Sequence, residues 1–277
     1  MSIEIVYRLD PETKPLRPSD AGEARRTLEK GNDRFASLAS RGKTTDVREI
    51  ISINPRALGI SAIEGTPPKQ TPFAAVLGCS DARVPVDLVF ERAVNDLFVV
   101  RVAGNVLGNE CLGSLEYALA NLETIQLFIV LGHTSCGAVT TAVDAFLTPV
   151  QYPNMAVSQG LRSIVDRIFV SIRWASLVLE EVAGEGVRNN AHYRQALVET
   201  SVIMNAALAA MTLRQEIDRE VAFGVYDLVS RRVRVPRACF EEDFALEVPP
   251  ADPDELNELG RAIACSRFVT SILDGPA

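Results

Sequence analysis

Two short segments concentrate the residue types that bind metals and move protons. GCSDAR at 78–83 carries Cys79, Asp81 and Arg83, and GHTSCGA at 132–138 carries His133 and Cys136. A His-x-x-Cys pair can chelate one ion from a single turn, and a thiolate from a neighbouring segment completes a Cys2His set. Three such ligands suit zinc and leave a fourth position for water or substrate. A closed structural site would want a fourth Cys or His, and none stands near in the sequence. Because single cysteines are often buried as small apolar groups, the assignment rests on all three residues jointly, one of them among only two histidines in the chain.

Asp81 and Arg83 follow Cys79 by two and four residues, so a tight turn lets both face a metal. Arg83 can grip the Asp81 carboxylate with its planar fork, holding it ionised and oriented. An ionised Asp there has two uses: it accepts a hydrogen bond from water at the fourth position, or it occupies that position itself. An ordinary surface Asp-Arg pair is the plain alternative.

These residues need elements that bring them together. Three short apolar runs, Phe73 to Gly78, Leu97 to Val102 and Leu127 to Gly132, read as strands buried on both faces. Between the second and third, Leu115, Ala118, Leu119 and Leu122 stand at helical spacing, which predicts a crossover helix and parallel pairing. Cys79 follows the first run and His133 and Cys136 the third, so the ligands emerge at the carboxyl ends of neighbouring strands, where open α/β sheets form clefts. A helix follows Cys136, and two more fill Val157 to Glu216 with a break at AGEGVRNN. A strand at Val221 to Tyr226, a turn and a short strand to Val235 predict a closing hairpin.

The expected fold class is therefore α/β: a mostly parallel central sheet flanked by helices, with an N-terminal helical arm and a C-terminal edge hairpin. Residues 1–19 read as an extended arm, followed by a helix from Asp20 with Ala24, Leu28 and Phe35 in repeat. Pro55, Gly59, Gly65, Pro67, Pro68 and Pro72 make 53–72 a surface loop. Residues 20–236 read as one zinc-enzyme domain, and 237–277 as an acidic tail with a helix from Asp254 to Leu273.

Composition excludes several classes. A net charge of -8 leaves no basic surplus for phosphates, so no nucleic-acid partner is expected. The charged first thirty residues do not read as a signal peptide, and no apolar run is expected to span a membrane. Five cysteines are too few and odd for a disulfide scaffold, and no Cys-x-x-Cys pair suggests thiol redox work. A soluble, cytoplasmic protein is expected.

The chain resembles the β-class carbonic anhydrases through GCSDARVP at 78–85, DLFVVRVAGN at 96–105, SLEYALANL at 114–122 and GHTSCGAV at 132–139, over about residues 22–236. The resemblance implies zinc on Cys79, His133 and Cys136 with Asp81 and Arg83 as the dyad beside it. It implies that Gln70 hydrogen-bonds bicarbonate, that Phe98 and Tyr117 line the apolar side of the pocket, and that Gly137 lets its backbone approach the substrate. The implied reaction is hydration of carbon dioxide to bicarbonate and a proton, zinc lowering the pKa of its water to about 7. It also implies a homodimer or higher homo-oligomer, with the apolar side of the helix around Leu28 to Leu38 packed across the partner. His192, the other histidine, reads as a surface residue rather than a proton shuttle.

The sequence departs from that family where Val102 replaces an Asn after the arginine of the second segment, and where Val76 replaces a tryptophan of the pH-regulated members. Lacking that tryptophan, and with Trp174 not placed to substitute for it, the chain is expected to keep Asp81 on Arg83 and the fourth position open. A hydrolase of carbon disulfide or carbonyl sulfide would use the same motifs, and an inactive zinc-binding protein would keep the ligands alone. The presence of Asp81, Arg83 and Gln70 argues against the latter.

Overall fold

The computed structural model describes residues 2–42, 44–60, 66–155, 157–236 and 245–275. The chain starts with β1 (Ile3–Leu9), crosses through helix α1 (Ala21–Arg41) and returns as β2 (Val47–Ile53), paired parallel with β1 from Ile3 opposite Val47 to Leu9 opposite Ile53. Residues 1–19, expected to be an extended arm, thus contain a strand, and β2 was not expected at all. The signal was the alternation Ile3, Ile5, Tyr7, Leu9, muted by the charges of Glu4 and Arg8 between them. All four remain exposed.

Asp20 caps α1 by accepting the N–H of Glu23 at 2.7 Å, and Glu23 accepts the N–H of Ser19 at 2.7 Å. This reciprocal pair satisfies donors that a helix start leaves open. The apolar side of α1 was expected to cover a partner; instead Ala24 and Leu28 are fully buried in the chain's own core with Val89 and Phe90. Gly31 makes that approach possible, since a Cβ there would lie 1.9 Å from the Phe90 carbonyl oxygen.

From residue 74 strands and helices alternate: β3 (Ala74–Gly78), a helical turn α2 (Val86–Val89), β4 (Leu97–Arg101), α3 (Asn109–Asn121) and β5 (Leu127–His133). Next come α4 (Gly137–Leu147), the turn α5 (Tyr152–Met155), α6 (Gln159–Ala183), α7 (Tyr193–Glu216), β6 (Val221–Tyr226) and β7 (Val233–Arg234). The sheet order is β4-β3-β5-β6-β7, parallel except for the edge pair β6-β7. This is the expected α/β class with its edge hairpin.

Residues of β3 and β5 alternate between two cores, as the period of two in a strand requires. Ala75, Leu77, Phe128 and Val130 face α4, α6 and α7, whereas Ala74, Val76, Ile129 and Leu131 face α1 and α2. Burial on both sides explains why these strands read as unbroken apolar runs. One sequence expectation is corrected here: α7 is long and apolar enough to cross a membrane by length and composition, although 83% of that window is buried inside the fold. It is the central helix of the larger core, and its apolarity is explained by packing on every side.

Residues 237–244 of the expected acidic tail lie outside the described residues. Beyond them the tail forms two helices rather than one, α8 (Pro253–Ala264) and α9 (Arg267–Asp274), because Ser266 caps the second by accepting the N–H of Val269. Leu256, Ile263 and Val269 are fully buried against the larger core, so this segment is part of the body.

Candidate metal centre

β3 and β5 are neighbours, and the last residue of β5, His133, meets Cys79 and Cys136 from the turns leaving the two strands. All three are buried, and one ligand atom from each lies within 4.8 Å of the others. The two sulfurs are 3.9 Å apart. Two thiolates about 2.3 Å from one tetrahedral ion stand about 3.8 Å apart, so the pair is already at metal-bridging distance. His133 is fully buried, with Nδ1 2.9 Å from the Thr134 carbonyl oxygen. That carbonyl fixes the proton on Nδ1 and leaves the Nε2 lone pair toward the sulfurs. Nε2 itself has no hydrogen-bond partner. A buried acceptor left open beside two thiols fits a soft or borderline cation, and this triad could hold a metal ion.

The two thiols titrate as a pair. A hydrogen bond from Cys136, then the nearby His133 ring and backbone N–H groups, bring Cys79 down to about 4 against the effect of burial. Cys136 moves strongly upward, because it donates to Cys79 and is buried beside it. Without a cation one proton stays between them; a bound cation removes the reason to keep it.

The backbone around Cys79 is tightly held. Gly104 donates its N–H to the Cys79 sulfur at 3.3 Å, and Asn205 Nδ2 donates to the Gly104 carbonyl at 2.8 Å. Gly104 has φ 67°, a left-handed conformation that glycine adopts freely. Arg101, at the end of β4, donates Nε to the Cys79 carbonyl at 2.9 Å and Nη2 to the Asp81 carbonyl at 2.6 Å.

Arg83 binds the Asp81 carboxylate through both arms of its fork, Nε to Oδ1 at 3.0 Å and Nη2 to Oδ2 at 2.7 Å, while its own N–H donates to Oδ1 at 2.9 Å. The Arg83 guanidinium therefore holds the Asp81 carboxyl well below the usual carboxylate range. Asp81 Oδ2 lies 3.8 Å from His133 Nε2, so the carboxylate borders the space the ligands face.

Sequence reasoning missed Glu199 on α7, which is buried with its carboxylate on the N–H of Ser135 at 3.2 Å. Ser135 stands between the two ligands of the second turn with φ 55°, a costly conformation for a non-glycine residue. Gln195 also donates to Glu199 at 2.8 Å, and burial pushes the Glu199 carboxyl upward. Arg83 Nη2 reaches the Ser135 carbonyl at 3.3 Å, linking the two ligand turns. Asp227, just past β6, accepts from the Thr134 hydroxyl at 3.3 Å.

Of the remaining expected residues only Gly137 adjoins a ligand. Gln70 is exposed, in the segment before β3 whose neighbours Lys69 and Thr71 bond to Asn95, at the opposite edge of the sheet. Phe98 packs half-buried on β4, and Tyr117 on α3 is 57% exposed. Gly137 begins α4 directly after Cys136, with open space where a side chain would stand. His192 precedes α7 and packs beside Gly275, and Trp174 donates to Asn257 Oδ1 at 3.1 Å. Val76 is fully buried.

A family profile described as carbonic anhydrase matches residues 74–231. A protein named carbonic anhydrase 2 from Mycobacterium tuberculosis is 35% identical over 164 residues, covering 58% of this chain and 66% of its own length. A carbonic anhydrase from Mycolicibacterium smegmatis is 45% identical over 103 residues, covering 37% of this chain and 47% of its own. The alignments thus span about half and about two thirds of those relatives. Among solved structures, the β-carbonic anhydrase CafA of Aspergillus fumigatus aligns over 86% of this chain and 96% of its own, at 20% identity and a TM-score of 0.46.

Proposed function

The chain belongs to the carbonic anhydrase family, in its β class, and from that premise we propose that it hydrates carbon dioxide to bicarbonate and a proton with zinc on Cys79, His133 and Cys136. The observation that carries this reading is the open Nε2 of buried His133 beside two sulfurs 3.9 Å apart, with an arginine-bound carboxylate at their rim. Cys79, His133 and Cys136 would hold the zinc, which would supply Lewis acidity and lower the pKa of a bound water to about 7.

The side chains divide the remaining work. Asp81, kept ionised by Arg83, would accept a hydrogen bond from water beside the ligands and so orient it. Arg83 occupies both carboxylate oxygens, which keeps Asp81 from taking the fourth position itself. Gly137, exposed at the start of the eleven-residue α4 with open space where a side chain would stand, lies at the positive end of a helix, suited to an anionic product.

A homodimer or larger homo-oligomer belongs to the same proposal. Gln70 stands at the sheet edge away from its own ligands, so any role at a metal centre requires the centre of another copy. The exposed row Ile3, Ile5, Tyr7 and Leu9 on β1 offers apolar surface for such contact. A cytoplasmic location belongs to the same reading, since five cysteines are an odd and sparse set for a disulfide scaffold.

The test is a stopped-flow assay of one zinc-loaded preparation with carbon dioxide, carbonyl sulfide and carbon disulfide. Rapid hydration of carbon dioxide alone supports the proposal. Turnover confined to the sulfur substrates would replace it with the hydrolase reading.

A further inference from the structure

At the sheet edge opposite the metal ligands, a cavity of about 990 Å³ opens between β2, α1 and the segments entering β3 and β4. Its volume is at the upper end of the range for small-molecule sites. Seven Lys or Arg side chains line it against two carboxylates, Glu91 and Asp96, in a chain whose net charge is -8. This local reversal of sign needs a physical reason, because like charges gathered around one space repel each other.

Arg92 sharpens the point. It is only 6% exposed, yet its one hydrogen bond runs from Nε to the Phe90 carbonyl at 2.8 Å. Burial pulls its pKa below the ordinary arginine value against the attraction of Asp96 and Glu91, and its two terminal amino groups make no hydrogen bond among the described residues. Asp96 is turned to the backbone N–H of Ala93 at 3.0 Å, and Glu91 pairs with Arg34. Asp96 and Glu91 therefore offset the guanidinium only in part, and its free donors can meet a further anion. Lys30 on α1 and Arg56 after β2 are exposed on different walls and make no ion pair among the described residues. Ile51, Ile53 and Pro68 supply apolar wall between the charges.

The geometry points to a second binding site, for a phosphorylated organic molecule whose phosphate sits on Arg92 with Lys30 and Arg56 while its body lies on Ile51, Ile53 and Pro68. A planar fork with free donors suits a phosphate oxygen pair, and a cavity of this size holds more than an ion.

Isothermal titration of the purified chain with adenosine monophosphate and with inorganic phosphate tests this. One equivalent of the nucleotide binds, more tightly than phosphate does, and the affinity falls with added salt. The double substitution Lys30→Ala/Arg56→Ala, at two exposed positions, weakens binding roughly tenfold. Arg92→Met weakens it further, and Arg83→Ala at the metal centre leaves it unchanged. No heat from either probe at millimolar concentration would overturn the proposal. So would phosphate binding as tightly as the nucleotide, or binding lost in Arg83→Ala and retained in Lys30→Ala/Arg56→Ala.

Discussion

Glu199 accepts the backbone N–H of Ser135 across 64 residues of sequence, at 3.2 Å, and so the central helix α7 holds the turn that carries His133 and Cys136. Glu199→Ala leaves that N–H without its acceptor, at a cost of about 1–3 kcal/mol. The larger effect is expected on the metal, since removing a group that orients ligands weakens affinity by roughly 10–100-fold. Competition with a chromophoric chelator measures it. Wild-type affinity in Glu199→Ala would remove the residue from the support of the centre.

The Asp81–Arg83 pair should separate metal binding from rate. Asp81→Asn keeps the three ligands and the metal, while the neutral amide no longer offers a charged carboxylate to accept the water's hydrogen bond and orient it. The rate falls by roughly 10²-fold or more. Arg83→Lys loses the two-armed grip and is expected to be impaired less. Normal hydration by Asp81→Asn at full zinc content would take Asp81 out of the mechanism.

The start of α1 carries a pH signature. The backbone N–H of Glu23 holds the Asp20 carboxyl below its ordinary value. A carboxylate lowered in the folded state contributes stability above its unfolded pKa, about 3.9, and loses it as pH falls through the folded value. Asp20→Ala should therefore lower the urea midpoint at pH 7, and the difference from wild type should shrink below about pH 4. A difference that stays constant down to pH 2.5 would show that the cap is not charge-assisted.

Sharing of the site between copies can be tested by complementation. Gln70→Ala and Cys136→Ser are each expected to be nearly inactive. When the two are unfolded together and refolded, mixed oligomers pair the intact ligands of one chain with the intact Gln70 of the other, and part of the activity returns. A chain that is monomeric by light scattering at micromolar concentration while active, or mixtures that never recover, would rule this out.

Much of this architecture was legible in the sequence for one physical reason. β3, β5 and β6 are buried on both faces, so their apolar runs are unbroken, and the ligands follow two of them without an intervening residue or after one short turn. β1 and β2 escaped because β1 is solvated on both faces, β2 is only partly buried, and charges interrupt the alternation. The break between α8 and α9 depends on a single serine cap. Glu199 left no local trace, since a buried carboxylate inside an apolar helix acquires its meaning only from the turn it meets. Gln70 and Tyr117 could be placed on elements but not beside the ligands, because one chain alone does not bring them there.

The most direct measurement of the central claim is zinc content and stopped-flow carbon dioxide hydration on the same preparations of wild type and His133→Ala. Wild type is expected to hold one zinc per chain and to hydrate carbon dioxide, and His133→Ala to lose both together. Full zinc and unchanged hydration in His133→Ala, or a zinc-loaded wild type with no hydration at any pH between 6 and 9, would contradict the account.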